Sequence, residues 1–119
     1  MIAPLLFALA AQAVPPASPS APPALSLEQR SAARCSAAFA LVAGAQERQE
    51  AWALGWPDLR VRGKEYFVQA TARLMDETGA DRGGIMGIVD GEVAVFAKDY
   101  TALKNVMPAC LVSLDASGL

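Results

Sequence analysis

GGIMGIVDGEVAVFA, Gly83 to Ala97, is the stretch on which the fold turns. Read as strands, it holds Asp90-Gly91 between two apolar runs, and Asp-Gly is the strongest short signal for a hairpin turn. Read as a helix capped by Asp81, it places Met86, Val89, Val93 and Phe96 on one stripe, at spacings of three, four and three. Gly83, Gly84, Gly87 and Gly91 weaken the helix, since an interior glycine costs about 1 kcal/mol against alanine. A lone two-stranded hairpin in a helical domain is also marginal unless packed. The helix reading is preferred. It gives an all-α fold, a small bundle of four to five helices; the alternative is α+β with a hairpin over 85–96.

Upstream, the helical signals are clear. Ser26-Leu27-Glu28-Gln29 is a capping-box pattern, in which Ser26 accepts from the amide three residues on and Gln29 reaches back. Leu27, Ser31, Cys35, Ala38, Phe39 and Val42 then recur at helical spacing. Ala32, Ala33, Ala37 and Ala38 would let another helix approach closely. Gly44 is a possible stop, although Ala45 to Leu54 is helix-prone and could continue the helix. Gly55-Trp56-Pro57-Asp58 is a break, because proline disfavours the helical conformation in the residue before it. Leu59, Gly63, Tyr66, Phe67, Ala70, Leu74 and Met75 follow as the longest regular pattern, stopped by Gly79. A glycine on that apolar stripe implies close packing, here expected beneath Trp52 or Trp56.

Downstream, Asp99 is expected to cap a short helix through Val106, with Tyr100, Leu103 and Val106 facing inward. Met107-Pro108 then reads as a break or kink. Pro108 suits the first turn of a last short helix carrying Cys110, Leu111 and Leu114.

The N-terminus has a different character. Met1 to Ala13 reads as a secretory signal: an apolar run from Leu5 to Ala11, then Ala11-Gln12-Ala13 as a small-x-small cleavage pattern. It lacks a Lys or Arg before the apolar run, and it is too short to span a bilayer, which takes about 20 apolar residues. Residues 14–24, VPPASPSAPPA, hold five prolines in 11 positions, which suits an extended, disordered linker. The folded domain is then 25–117. These readings place the protein in the periplasm or outside the cell, with no membrane span left after cleavage.

In that setting the chain's two cysteines, Cys35 and Cys110, read as a structural disulfide. Closing a loop of that length stabilises by about 4 kcal/mol in the chain-entropy model. A redox pair would favour C-x-x-C, and two cysteines without histidine cannot complete a zinc site. No metal or cofactor is expected.

Composition removes further functions. The chain of 119 residues contains no histidine, which excludes Ser-His-Asp and Cys-His nucleophile pairs. Ten basic and 12 acidic residues give a net charge of −2, without the cationic excess that nucleic acid requires. Asp76-Glu77 with Asp81, and Asp90 with Glu92, could bind a cation or act as acid and base; but Asp76 and Glu77 point about 100° apart on a helix, the segment from Asp81 lacks the spacing of an EF-hand loop, and solvated surface is the preferred reading.

One region remains as a candidate binding surface: Trp52, Trp56, Arg60, Arg62 and Tyr66, with Lys64 nearby. It could take an anion or a partner; the plainer reading is a solvated basic face over core aromatics. Arg60 and Lys64 share a helical face, whereas Arg62 points elsewhere.

Ser31 to Val42 (SAARCSAAFALV), Arg62 to Glu77 (RGKEYFVQATARLMDE) and Pro108 to Leu114 (PACLVSL) resemble segments of small uncharacterised exported bacterial proteins, which are predicted to be helical and carry one early and one late cysteine. The resemblance implies export and a helical fold, and brings no activity or site residues. Gly83 to Gly91 departs from that pattern.

The leading functional expectation is a non-enzymatic periplasmic binding or interaction protein, whose partner is a protein or small ligand. One alternative is a periplasmic acid-stress chaperone, in which carboxylates would sense pH, because nothing else here titrates between about pH 3 and 6. The rival from another class is a small hydrolase using Asp or Glu, with Tyr66 and Arg62, around a cleft. Two carboxylates about 5–9 Å apart in a pocket would mark it.

Overall fold

The computed structural model describes residues 23–119, so the expected signal peptide 1–13 and the linker as far as residue 22 lie outside the described residues. Five helices follow in order: α1 (Leu27–Glu47), α2 (Ala51–Leu54), α3 (Arg62–Thr78), α4 (Arg82–Lys98) and α5 (Tyr100–Ala116). The described residues form an all-α bundle without strands.

The Gly83–Ala97 stretch is helical. Asp81 caps α4, its Oδ1 accepting the Gly84 N–H at 2.8 Å. Ile85, Val89 and Phe96 enter the core, with Met86, Ile88 and Val93 packed beside them. The buried stripe therefore runs through Ile85 rather than Met86. Asp90-Gly91 lies exposed within the helix. Burial of this stripe against its neighbouring helices outweighs the local preference for a turn.

Helix α1 is the axis of the molecule and packs on each of the other four helices. The expected capping box is present: Ser26 Oγ accepts the Gln29 N–H at 3.1 Å, and Gln29 Oε1 accepts the Ser26 N–H at 3.0 Å. A single inward stripe starting at Leu27 is not what forms. Leu27 is 82% exposed and Ser31 is also exposed. From Ala33 onward burial wraps the helix, taking in Cys35 to Phe39, then Val42, Ala43, Ala45 and Gln46. A helix surrounded by others has no polar face to alternate with, and its small side chains let four neighbours approach.

Gly44 does not end α1. The stop falls at Arg48, and Gln49 turns the chain with a left-handed φ of 57°. A single helical turn, α2, follows before the Gly55–Val61 connection. Lys64 pairs with Glu47, and Gln29 Nε2 donates to Glu77 at 3.0 Å, which sets α1 and α3 antiparallel. Helix α3 ends as expected at Gly79, at φ 72°.

Gly63 is packed closely, but not by a tryptophan. A Cβ there would lie 2.9 Å from Leu59 Cβ and 3.4 Å from Phe39 Cβ. The missing side chain lets the first turn of α3 sit directly on α1.

Asp99 alone links α4 to α5. Its N–H donates to Val95 O at 3.0 Å, and its Oδ1 accepts from Ala102 N–H at 3.1 Å. The expected break at Met107-Pro108 does not occur, and α5 runs through it to Ala116. A proline inside a helix costs about 3 kcal/mol, partly by leaving the carbonyl four residues back without its donor. Here both Pro108 and Lys104 are exposed, so water can serve that carbonyl. Met107, Cys110 and Leu114 hold the two halves of α5 on the core. Tyr100, expected to face inward, is instead 47% exposed.

Cys35 and Cys110 form a disulfide, with Cα atoms 5.2 Å apart and 75 residues between them in sequence. It joins the central helix to the last one. Both cysteines are buried.

Candidate functional site

Three features on the surface have the character of a site: an aromatic edge, a small hollow and a larger polar cleft.

Four of the five candidate residues, Trp52, Trp56, Arg60 and Tyr66, are divided among them, and Arg62 lies apart. Trp52, on α2, stacks edge to face on Tyr100 at the start of α5, with ring centroids 5.7 Å apart at 75°. Both rings stay partly open to solvent, Trp52 at 37% and Tyr100 at 47%. The T-shaped contact is a favoured arrangement for two rings, and it presents a Trp and a Tyr at one place. Ala53 anchors α2 in the core, while Leu54, 58% exposed, lies on the other side of this single turn from Trp52.

Trp56 and Arg60 belong to the hollow, about 450 Å³, beside Gln46, Gln49, Leu54 and Asp58. Arg60 is committed there. Its Nε and Nη2 donate to Asp58 Oδ1 at 2.9 Å and Oδ2 at 2.8 Å, and its main-chain N–H also donates to Oδ1. Hydrogen bonds from the Arg60 side chain, and then from its N–H, hold the Asp58 carboxyl down from 3.8 to about 2.

Arg62 points elsewhere, toward the end of α5. Its Nε donates to the Leu119 main-chain oxygen at 2.7 Å and its Nη2 to Asp115 at 3.0 Å. With Lys64 on Glu47, each cation of this region has its own acidic partner. Helix α3 begins only at Arg62, so Arg60 lies outside it.

The hollow rests on a buried device. Gln46 is 3% exposed, and its Nε2 lies 3.1, 3.3 and 2.8 Å from the carbonyls of Ala53, Trp56 and Pro57. Its Oε1 accepts the Leu59 N–H at 2.9 Å. A buried primary amide supplies both donors and an acceptor, so one side chain ties the whole connection from α2 to α3.

The larger cleft, about 620 Å³, lies between the first half of α1, the face of α3 and the end of α5. Tyr66 reaches it from the core. Its ring is 8% exposed and stacks edge to face on Phe39, with centroids 5.1 Å apart, while its hydroxyl lies 3.1 Å from Ser113 Oγ. Gln69, Arg73 and Glu77 follow along α3 at four-residue steps, one above the next. Gln29 and Glu28 line the opposite wall. Gln29, Gln69, Arg73, Glu77 and Ser113 were not nominated from the sequence. The four-residue spacing on α3 was legible, but not that α1 and α5 leave this side of it uncovered.

Two carboxylates thus share a cleft with Tyr66. Both Glu28 and Glu77 stand in solvent, rather than in the apolar enclosure that a glycosidase acid occupies. Of the other acidic groups, Asp81 is a helix cap, Glu92 faces Arg34 at 3.6 Å and Asp90 is exposed. Among the described residues, no group of three or more Asp, Glu, Cys or His converges as a metal would require, and no helix is long and apolar enough to cross a membrane.

Compared with known proteins, the chain matches no protein-family model, no curated protein and no solved structure.

Proposed function

We propose that the protein is a non-enzymatic, periplasmic or secreted binding protein that engages a protein partner through the Trp52–Tyr100 edge. The observation that carries this reading is the pairing itself. Two large aromatic side chains, from elements distant in sequence, hold each other at 5.7 Å yet keep more than a third of their surface open. Phe39, Tyr66 and Phe96 are buried in the same small domain. Trp and Tyr are the residues most often found to dominate binding energy at interfaces, because a rigid ring covers much area for little ordering cost. The Cys35–Cys110 bridge supports placement in an oxidising compartment, where such bonds persist.

The test is capture of partners from the cell envelope with the wild-type chain and with Trp52→Ala and Tyr100→Ala variants, each first shown to be folded. The reading expects a defined partner, bound directly on purification, that both variants lose by about tenfold or more, as for a hot-spot truncation. A partner held equally by both variants would refute it.

A further inference from the structure

The cleft between α1, α3 and α5 is a separate matter from the aromatic edge, and its charges are the informative feature. Arg73 and Glu77 are one turn apart on α3, a spacing at which opposite charges can pair, more weakly when the cation comes first. They do not pair here. Glu77 Oε2 instead accepts Gln29 Nε2 from across the cleft at 3.0 Å, and among the described residues the Arg73 guanidinium has neither an ion-pair nor a hydrogen-bond partner. The cleft therefore presents an unpaired cation and, one turn on, an anion engaged by Gln29 along one wall. Glu28 adds a second carboxylate opposite.

A simple anion in this cleft would meet two carboxylates, and a simple amine would meet the guanidinium. A molecule carrying both charges meets each with its opposite. The volume, about 620 Å³, lies in the range of small-molecule sites. Gln69 supplies an amide for a polar backbone, Gln29 keeps one N–H beyond its bonds to Ser26 and Glu77, and the part-buried Tyr66 and Ser113 hydroxyls line the same cleft. We infer that the cleft is a binding site for a small zwitterion of the amino acid or dipeptide class. Its carboxylate lies on Arg73 and its ammonium group against Glu77 and Glu28.

Amide NMR of the exported chain, titrated with glycylglycine, with acetate and with ethylamine, tests this. Expected are saturable shifts at Gln29, Gln69, Arg73 and Glu77 with glycylglycine, and much weaker ones with either singly charged probe. Arg73→Gln, an exposed position, should weaken binding by about tenfold or more. Arg82→Gln, outside the cleft, should leave it unchanged. The inference is overturned by absent shifts, by shifts confined to another surface, by acetate or ethylamine binding as well as the dipeptide, or by an unaffected Arg73→Gln variant.

Discussion

Gln46 Oε1 accepts the main-chain N–H of Leu59 at 2.9 Å, across 13 residues of chain. Through this bond, and the carbonyls gathered on Gln46 Nε2, the central helix dictates where the α2–α3 connection lies and so where Trp52 and Trp56 are displayed. Leu59 is fully buried beside it and packs under Gly63. The surface that carries the proposed function is thus set by a polar group in the core.

Replacing Gln46 tests that arrangement. Gln46→Leu keeps much of the volume but leaves the buried Leu59 N–H without its acceptor and the Trp56 and Pro57 carbonyls without their side-chain donor, while Ala53 O keeps the Trp56 N–H. Each such group costs about 1–3 kcal/mol, and an overall loss of about 3 kcal/mol is expected. Urea denaturation measures it. A loss of a few tenths would show that the connection holds itself.

The glycines make opposite predictions. Gly63→Ala places a methyl group 2.9 Å from Leu59 Cβ, which belongs to a fully buried side chain and cannot swing away. Overpacking of this kind costs about 1–3 kcal/mol, more than the helix gains from alanine. Gly87 and Gly91 have nothing within 4 Å of an added Cβ. Alanine at either should stabilise by up to about 1 kcal/mol, read as a rise in thermal midpoint.

Much of the architecture could be read from local pattern: the capping box at Ser26, the glycine stop at Gly79, the helical spacing of α3 and the partnership of Cys35 with Cys110. The errors share one cause. Pro108 looked like a break because sequence cannot say that its side of α5 faces water. Leu27 and Ser31 seemed to begin a buried stripe because periodicity does not reveal that the neighbours start one turn later. Gln46 sat in a run of ordinary helix formers, with nothing local to mark it as buried. The polar cleft depends on where α5 ends relative to α1 and α3, a tertiary fact with no trace in spacing. The residues of the candidate surface are close in sequence, but the chain from Gln49 into α3 sends them to four places.

Ser36 offers a test of a buried polar group without a function assigned to it. It is fully buried, and its Oγ has no hydrogen-bond partner. Ser36→Ala removes that unmet polar atom while adding no bulk, and should stabilise by about 1 kcal/mol in urea or thermal denaturation. A clear destabilisation would mean that the hydroxyl is satisfied in solution.

Asp58 gives a pH signature. Its carboxyl is held near 2 by Arg60, below its ordinary 3.8. A carboxylate depressed on folding contributes stability that is fully present above its unfolded value and is lost as pH falls through the folded one. The contact should therefore weaken between about pH 4 and pH 2. Carboxyl NMR should show Asp58 titrating near 2, and Arg60→Gln should return it toward 3.8. An unchanged midpoint in that variant would assign the shift to another source.

The central claim is that this chain is exported and closed by one bond between its first and last long helices. Intact mass of the protein recovered from the cell envelope, with and without reductant, tests it most directly. The account predicts a chain beginning at Val14 that gains the mass of a hydrogen pair on reduction. A chain retaining residues 1–13, or one whose two thiols are already free, would contradict it.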